Sequence, residues 1–213
     1  MKRKVSILIS SAFLLGASSA YASTDEDFYG RDNNGNKVIV QMGNQYIYDP
    51  SVPNFLMNNR TVVPLKAFGD TVGAFVQQLD SGTVELIKPN VNLVVSEGAR
   101  VNNDGNQFSI DPFSAVTVGQ SIAPHIYYVV DNAPVTDALE YRIDVLDPYN
   151  KEIYSTKVNT INTEEKGPGF VGIFTLDEIS FENAGNYKVQ FLMKRKSEND
   201  FLKVGQTIIK ANE

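Results

Sequence analysis

Asn183-Ala184-Gly185-Asn186-Tyr187-Lys188-Val189-Gln190-Phe191-Leu192-Met193 is the stretch that decides the fold. A turn-forming Asn-Ala-Gly-Asn segment leads into a run in which polar and apolar residues alternate, the mark of an antiparallel strand with one buried face. Seven further segments read the same way: 91–95, 107–110, 125–130, 141–146, 153–158, 171–176 and 201–209. Their connectors carry turn chemistry in Asn103-Asp104-Gly105-Asn106, Asp147-Pro148-Tyr149-Asn150 and Lys166-Gly167-Pro168-Gly169. About eight strands in about 120 residues predict an antiparallel β-sandwich over residues 90–213.

The Asn183-to-Tyr187 segment resembles the corner of immunoglobulin-like domains, where a Tyr hydroxyl bonds back to the backbone. The resemblance is to the general fold: Val189 stands where an antibody-type domain has its second Cys, and the chain has no Trp.

Upstream, the pattern differs. Val38 to Met42, the Gly43-Asn44 turn and Gln45 to Tyr48 predict a β-hairpin. Pro64 is expected at the first helical position. Leu65, Phe68 and Val72 then share one helical face, and Gly73 supplies the stop. Phe75 to Leu79, the Asp80-Ser81-Gly82 turn and Thr83 to Ile87 predict a second hairpin. The expectation for residues 37–89 is a ββαββ module with its helix on one small antiparallel sheet. Gly69 inside the helix costs about 1 kcal/mol relative to Ala, so a short or frayed helix is expected.

Asn58-Asn59-Arg60-Thr61-Val62-Val63-Pro64-Leu65-Lys66-Ala67-Phe68 and the following Gly73-Ala74 resemble the N-terminal stalk domain of copper amine oxidases. Where that family has Ala-Glu-Ala-Leu-Gly, this chain has Gly69-Asp70-Thr71-Val72-Gly73. The resemblance implies a non-catalytic extracytoplasmic module and brings no chemistry with it. Amine oxidases of that kind hold copper with three His and make a quinone from a Tyr in an Asn-Tyr-Asp/Glu setting. This chain has only His125, and Asn186-Tyr187 is followed by Lys188.

Residues 1–22 read as a signal peptide: Lys2-Arg3-Lys4, an apolar run from Val5 to Leu15, and small residues closing on Ala20-Tyr21-Ala22. The run is too short for a membrane span, which needs about 20 apolar residues. Cleavage leaves an acidic arm over residues 23–36. It also leaves 16 basic against 25 acidic residues, a formal charge of −9 instead of −6. Such a chain is expected to repel nucleic acid. The one dense basic run, Lys194-Arg195-Lys196, reads as a solvated hairpin tip.

With no Cys, neither disulfides nor cysteine nucleophiles enter the argument, and a single His cannot assemble a zinc or copper site of the usual composition. His125 reads as a strand or loop residue, and most carboxylates read as solvated turn residues. Asp32-Asn33-Asn34-Gly35-Asn36 begins like an EF-hand loop, but its sixth position is Lys37 and its twelfth Gly43. Asn102 to Asn106 reads more simply as a hairpin turn. Tyr127 and Tyr128 are expected on opposite faces of one strand. No catalytic, cofactor or metal residue is assigned.

The expectation is a secreted, non-catalytic binding protein of the bacterial cell envelope that contacts a wall polymer or another exported protein. The alternative is a structural subunit of a surface layer or fibre that assembles through edge strands.

Overall fold

The computed structural model describes residues 38–49, 51–101 and 108–213. The leader, the acidic arm and both calcium-like fragments lie outside the described residues, apart from Gly43 in the first.

The chain opens with hairpins set by residues that accept positive φ. Strands β1 (Val40–Met42) and β2 (Gln45–Ile47) pair across Gly43, whose φ is +60°. Strands β3 (Phe55–Met57) and β4 (Arg60–Val62) pair across Asn58 and Asn59, at φ +52° and +58°. Two consecutive left-handed residues make the hairpin turn whose twist matches its strands, and Asn tolerates that conformation. This second hairpin was not expected from the sequence.

Helix α1 (Leu65–Val72) follows. Pro64 is its N-cap and not its first helical residue: ψ is 124°, and its carbonyl accepts the Phe68 N–H at 3.1 Å. The proline ring fixes φ alone, so ψ stays free to turn the chain in from an extended approach. Gly73 ends the helix at φ +71°, as expected. The expected face is buried in part: Phe68 and Val72 are half-buried and Gly69, on the same face, is buried, whereas Leu65 at the helix start is exposed and Ala67 is buried on another side. Gly69 has a packing reason: a Cβ there would lie 2.8 Å from the Ala74 carbonyl oxygen and 3.0 Å from a Val76 methyl. The helix therefore gives up propensity for close approach to β5 (Phe75–Gln78), which pairs with β6 (Val84–Ile87). In place of one small sheet there are three separate two-stranded hairpins, each strand of three or four residues pairing only with its own hairpin partner among the described residues, and α1 lies against β2 and β5.

From Asn90 the chain builds a mainly antiparallel β-sandwich. Its strands are β7 (Asn90–Val101), β8 (Phe108–Pro112), β9 (Ala115–Thr117), β10 (Ser121–Ile122), β11 (His125–Asp131) and β12 (Leu139–Leu146). They continue with β13 (Glu152–Ser155), β14 (Asn159–Ile161), β15 (Phe170–Thr175), β16 (Ile179–Ser180), β17 (Gly185–Arg195) and β18 (Leu202–Asn212). One sheet has the order β15-β11-β7-β8. The other runs β13-β12-β17-β18-β9, with β14 also on β12. All eight strands expected from the sequence are present. The long strands divide between two facing sheets, as in a β-sandwich. Strand β9 runs parallel to β18, and β10 pairs with β16 in a small separate ladder.

The inner faces interdigitate. Ile126 and Val130 from the first sheet meet Ile143, Val145, Val189, Phe191 and Ile209 from the second, all fully buried. Gly205 of β18 lets the sheets close, since a Cβ there would lie 2.8 Å from two Val91 atoms.

The corner at Tyr187 forms as expected. Its ring is 1% exposed and packs edge-on against Phe181, and its hydroxyl accepts the Asn183 N–H at 3.0 Å. Tyr187→Phe leaves that N–H without its partner. The expected loss is about 1–3 kcal/mol in a urea unfolding curve.

Helical structure does recur after residue 89, against expectation. One turn, α2 (Thr163–Lys166), is capped by Asn162, whose side chain accepts the Glu165 N–H at 3.1 Å. Thr163 Oγ1 ties it inward by donating to the Pro134 carbonyl at 2.7 Å. A single turn is shorter than any window in which helical periodicity is visible, but its capping chemistry is local.

Candidate interaction surface

Three acid–base groups, His125, Asp144 and Asp147, are held in structural settings. His125 lies at the start of β11 with Nδ1 3.0 Å from Thr175 Oγ1 on the neighbouring strand. Two carboxylates are buried, Asp144 in a strand and Asp147 in a turn, where solvation was expected. Asp144 accepts from Ser155 Oγ at 2.6 Å and from Arg142 at 2.9 Å. Asp147 accepts the Tyr149 and Lys151 N–H groups at 2.8 and 2.9 Å, which closes the turn around Asn150. Their hydrogen bonds offset the cost of burial. Among the described residues no three His, Asp or Glu side chains gather as a metal site would require.

Tyr127 and Tyr128 do divide between the two faces of β11. Tyr128 points inward, 3.2 Å from the Tyr141 hydroxyl and with its ring against Phe170, Phe174 and Phe191. Burial, then the hydrogen bond and charge of Tyr141, push its phenol well above the ordinary tyrosine range. The folded chain thus keeps the neutral form where the unfolded chain ionises. The resulting stabilisation is complete below about pH 10 and is lost as pH rises beyond it. In urea titrations at stepped alkaline pH, Tyr128→Phe is expected to lose stability less steeply than the parent.

Tyr127 points to the outer face of the same sheet, whose apolar neighbours sequence reasoning did not single out. The registers place Val94, Tyr127 and Ile173 in one row across three strands, and Asn92, Val129 and Val171 in the next. Val171 is 72% exposed and Ile173 51%, with Val129 and Val94 also exposed. The alternation of β15 would ordinarily put polar residues outward; here both outward positions in its middle are β-branched and apolar. A contiguous apolar patch on an exposed face marks a contact surface more often than scattered apolar residues do.

The basic run is not a solvated tip. Lys194 and Arg195 are mostly buried and only Lys196 is exposed. Lys194 pairs with Glu140 at 3.2 Å and lies over the Phe201 ring. Arg195 donates to the Val76 carbonyl at 3.2 Å, lies over the Phe75 ring and pairs with Glu198. The run lies where the β17–β18 turn meets the preceding hairpin, and the stems of long cations cover apolar surface there. A cleft of about 550 Å³ lies beside this junction, with Asp70, Phe75, Glu198 and Phe201 among its walls. Arg195→Ala is expected to loosen α1 and the β5–β6 hairpin from the sandwich. Limited proteolysis should then cut within residues 65–88 several times faster, while the sandwich stays resistant. Arg195→Lys should not restore protection, because an ammonium lacks the planar fork.

No protein-family model matches the chain, and no curated protein does.

Proposed function

We propose that this chain is an exported, non-catalytic interaction protein of the bacterial cell envelope. Its sandwich contacts a wall polymer or another exported protein through the outer face of the sheet containing β15, β11 and β7. The observation that carries the reading is that face, with Val94, Val129, Val171 and Ile173 open to solvent on adjoining strands. The leader-like start of the chain supports the address, and the stalk-like residues 37–89 are read as a support for the sandwich.

The test is co-sedimentation of the chain from Ser23 onward with purified bacterial sacculi, with and without their attached polymers and proteins. Saturable retention that Val129→Lys weakens is the expected result. Failure to sediment with any envelope fraction would overturn the reading.

A second reading, a structural subunit that assembles through edge strands, is favoured by the edge of β15, which among the described residues pairs on one side only.

A further inference from the structure

We propose that two copies of this chain join edge to edge through β15, antiparallel and two-fold symmetric about Gly172, as a closed dimer with one continuous eight-stranded sheet. The inference rests on reading β15 as an assembly edge, and it gives that edge one partner and a stopping point.

Three features of the strand lead there. The first is its backbone. Strand β15 ends its sheet, with β11 as its sole neighbour among the described residues. The Leu176 N–H donates to the Pro124 carbonyl at 3.0 Å, one step beyond the His125–Thr175 pair. In an antiparallel ladder the bonded positions alternate. Residues 170, 172 and 174 therefore bond to β11, while Val171, Ile173 and Thr175 direct their N–H and C=O groups toward the open edge.

The second feature is the lack of any guard. Exposed edges are ordinarily blunted by charge, proline, bulges or shortness. Phe170–Thr175 has none of these over six residues in unbroken register with β11. The other edges of the sandwich are guarded. Strand β8 ends in Asp111-Pro112 beside a register shift, and β13 carries Glu152 at another. Strands β9 and β14 have three residues each.

The third feature selects the occupant. Phe170-Val171-Gly172-Ile173-Phe174 reads nearly the same in both directions. A two-fold contact requires a self-complementary patch. Antiparallel pairing about Gly172 sets Val171 opposite Ile173 of the second copy, and Phe170 opposite its Phe174. The outward-directed backbone groups of Val171 and Ile173 then meet as hydrogen-bonded pairs, so backbone and side-chain registers agree. Apolar side chains continue the outer face and aromatic ones the inner row. The pairing uses up the only unguarded sandwich edge among the described residues and leaves β8 at both ends, so growth stops at two.

Sedimentation velocity on the chain from Ser23 onward tests this. The expected result is a concentration-dependent dimer that Val171→Lys and Ile173→Lys each weaken about tenfold or more. Both side chains are exposed, so thermal unfolding at concentrations where the parent is itself dissociated should match the parent and show that the variants still fold. The natural chain has no Cys, so register can be read by crosslinking. Directly opposite hydrogen-bonded residues have Cα atoms about 5.5 Å apart, within the span of a disulfide. Oxidised mixtures of Val171→Cys and Ile173→Cys chains should form the mixed dimer, and either variant alone should crosslink far less. Efficient crosslinking of Val171→Cys alone would overturn the Gly172 axis. A strict monomer would overturn both the dimer and the edge-assembly reading. Open-ended larger species would overturn the closed dimer but keep edge assembly, and a dimer indifferent to both lysines would place the contact elsewhere.

Discussion

Phe191→Ala is expected to destabilise the chain by about 3–5 kcal/mol, the largest loss predicted for any single side chain discussed. Phe191 is fully buried in mid-β17, and its ring ties the two sheets together. It stacks on Tyr141 at 5.7 Å and contacts Tyr128 at 5.1 Å and Phe174 at 6.4 Å between centroids. Tyr128 and Phe174 belong to one sheet, Tyr141 and Phe191 to the other. Removing the ring leaves a cavity that regular strands on both sides resist filling. A urea titration followed by near-ultraviolet dichroism measures the loss directly. A cost below about 1 kcal/mol would mean that the aromatic cluster does not join the sheets.

The second large effect concerns the same cluster from the opposite strand. Gly172→Ala is expected to cost about 3 kcal/mol, at the upper end of the range for overpacking. A Cβ at Gly172 would overlap the Tyr128 hydroxyl and its ring carbon, so the ring must leave its rotamer or β15 must shift away from β11. The ring is hemmed in by Tyr141, Phe170, Phe174 and Phe191, which makes either movement expensive. Tyr128→Ala should absorb part of the cost, so the double variant should be more stable than the sum of the two single losses predicts. The measurement belongs in an Ile173→Lys background, where association through β15 is suppressed. Additive losses would show that the glycine is not there to admit the ring.

Local chemistry explains which parts were legible from sequence. Gly43, Gly73, Gly82 and the Asp147 turn act within a few residues of themselves, so the first and last of the three N-terminal hairpins, the helix stop and the long strands could be placed without tertiary information. The Tyr187 corner spans four residues and was legible for the same reason. Leu65 shows where that reasoning fails. Helical spacing identifies an apolar face, but tertiary packing decides how deeply each residue on it is buried: Gly69 of that face lies against β5 while Leu65 stays exposed. Lys194 and Arg195 fail similarly: a charge run reads as solvated until Phe201, Phe75 and the Val76 carbonyl are brought against it.

By itself the sequence determined the class of the protein: alternating strands between turn residues, one short helix, no disulfides, and no set of histidines or cysteines for a metal. Tertiary structure alone decided which strands share a sheet, and hence that β15 lies at an edge with Val171 and Ile173 outward. The physical reason is distance along the chain. Alternation gives each strand two faces, but pairing partners such as β7 and β11, or the Val76 carbonyl and Arg195, are chosen by packing between segments tens to more than a hundred residues apart.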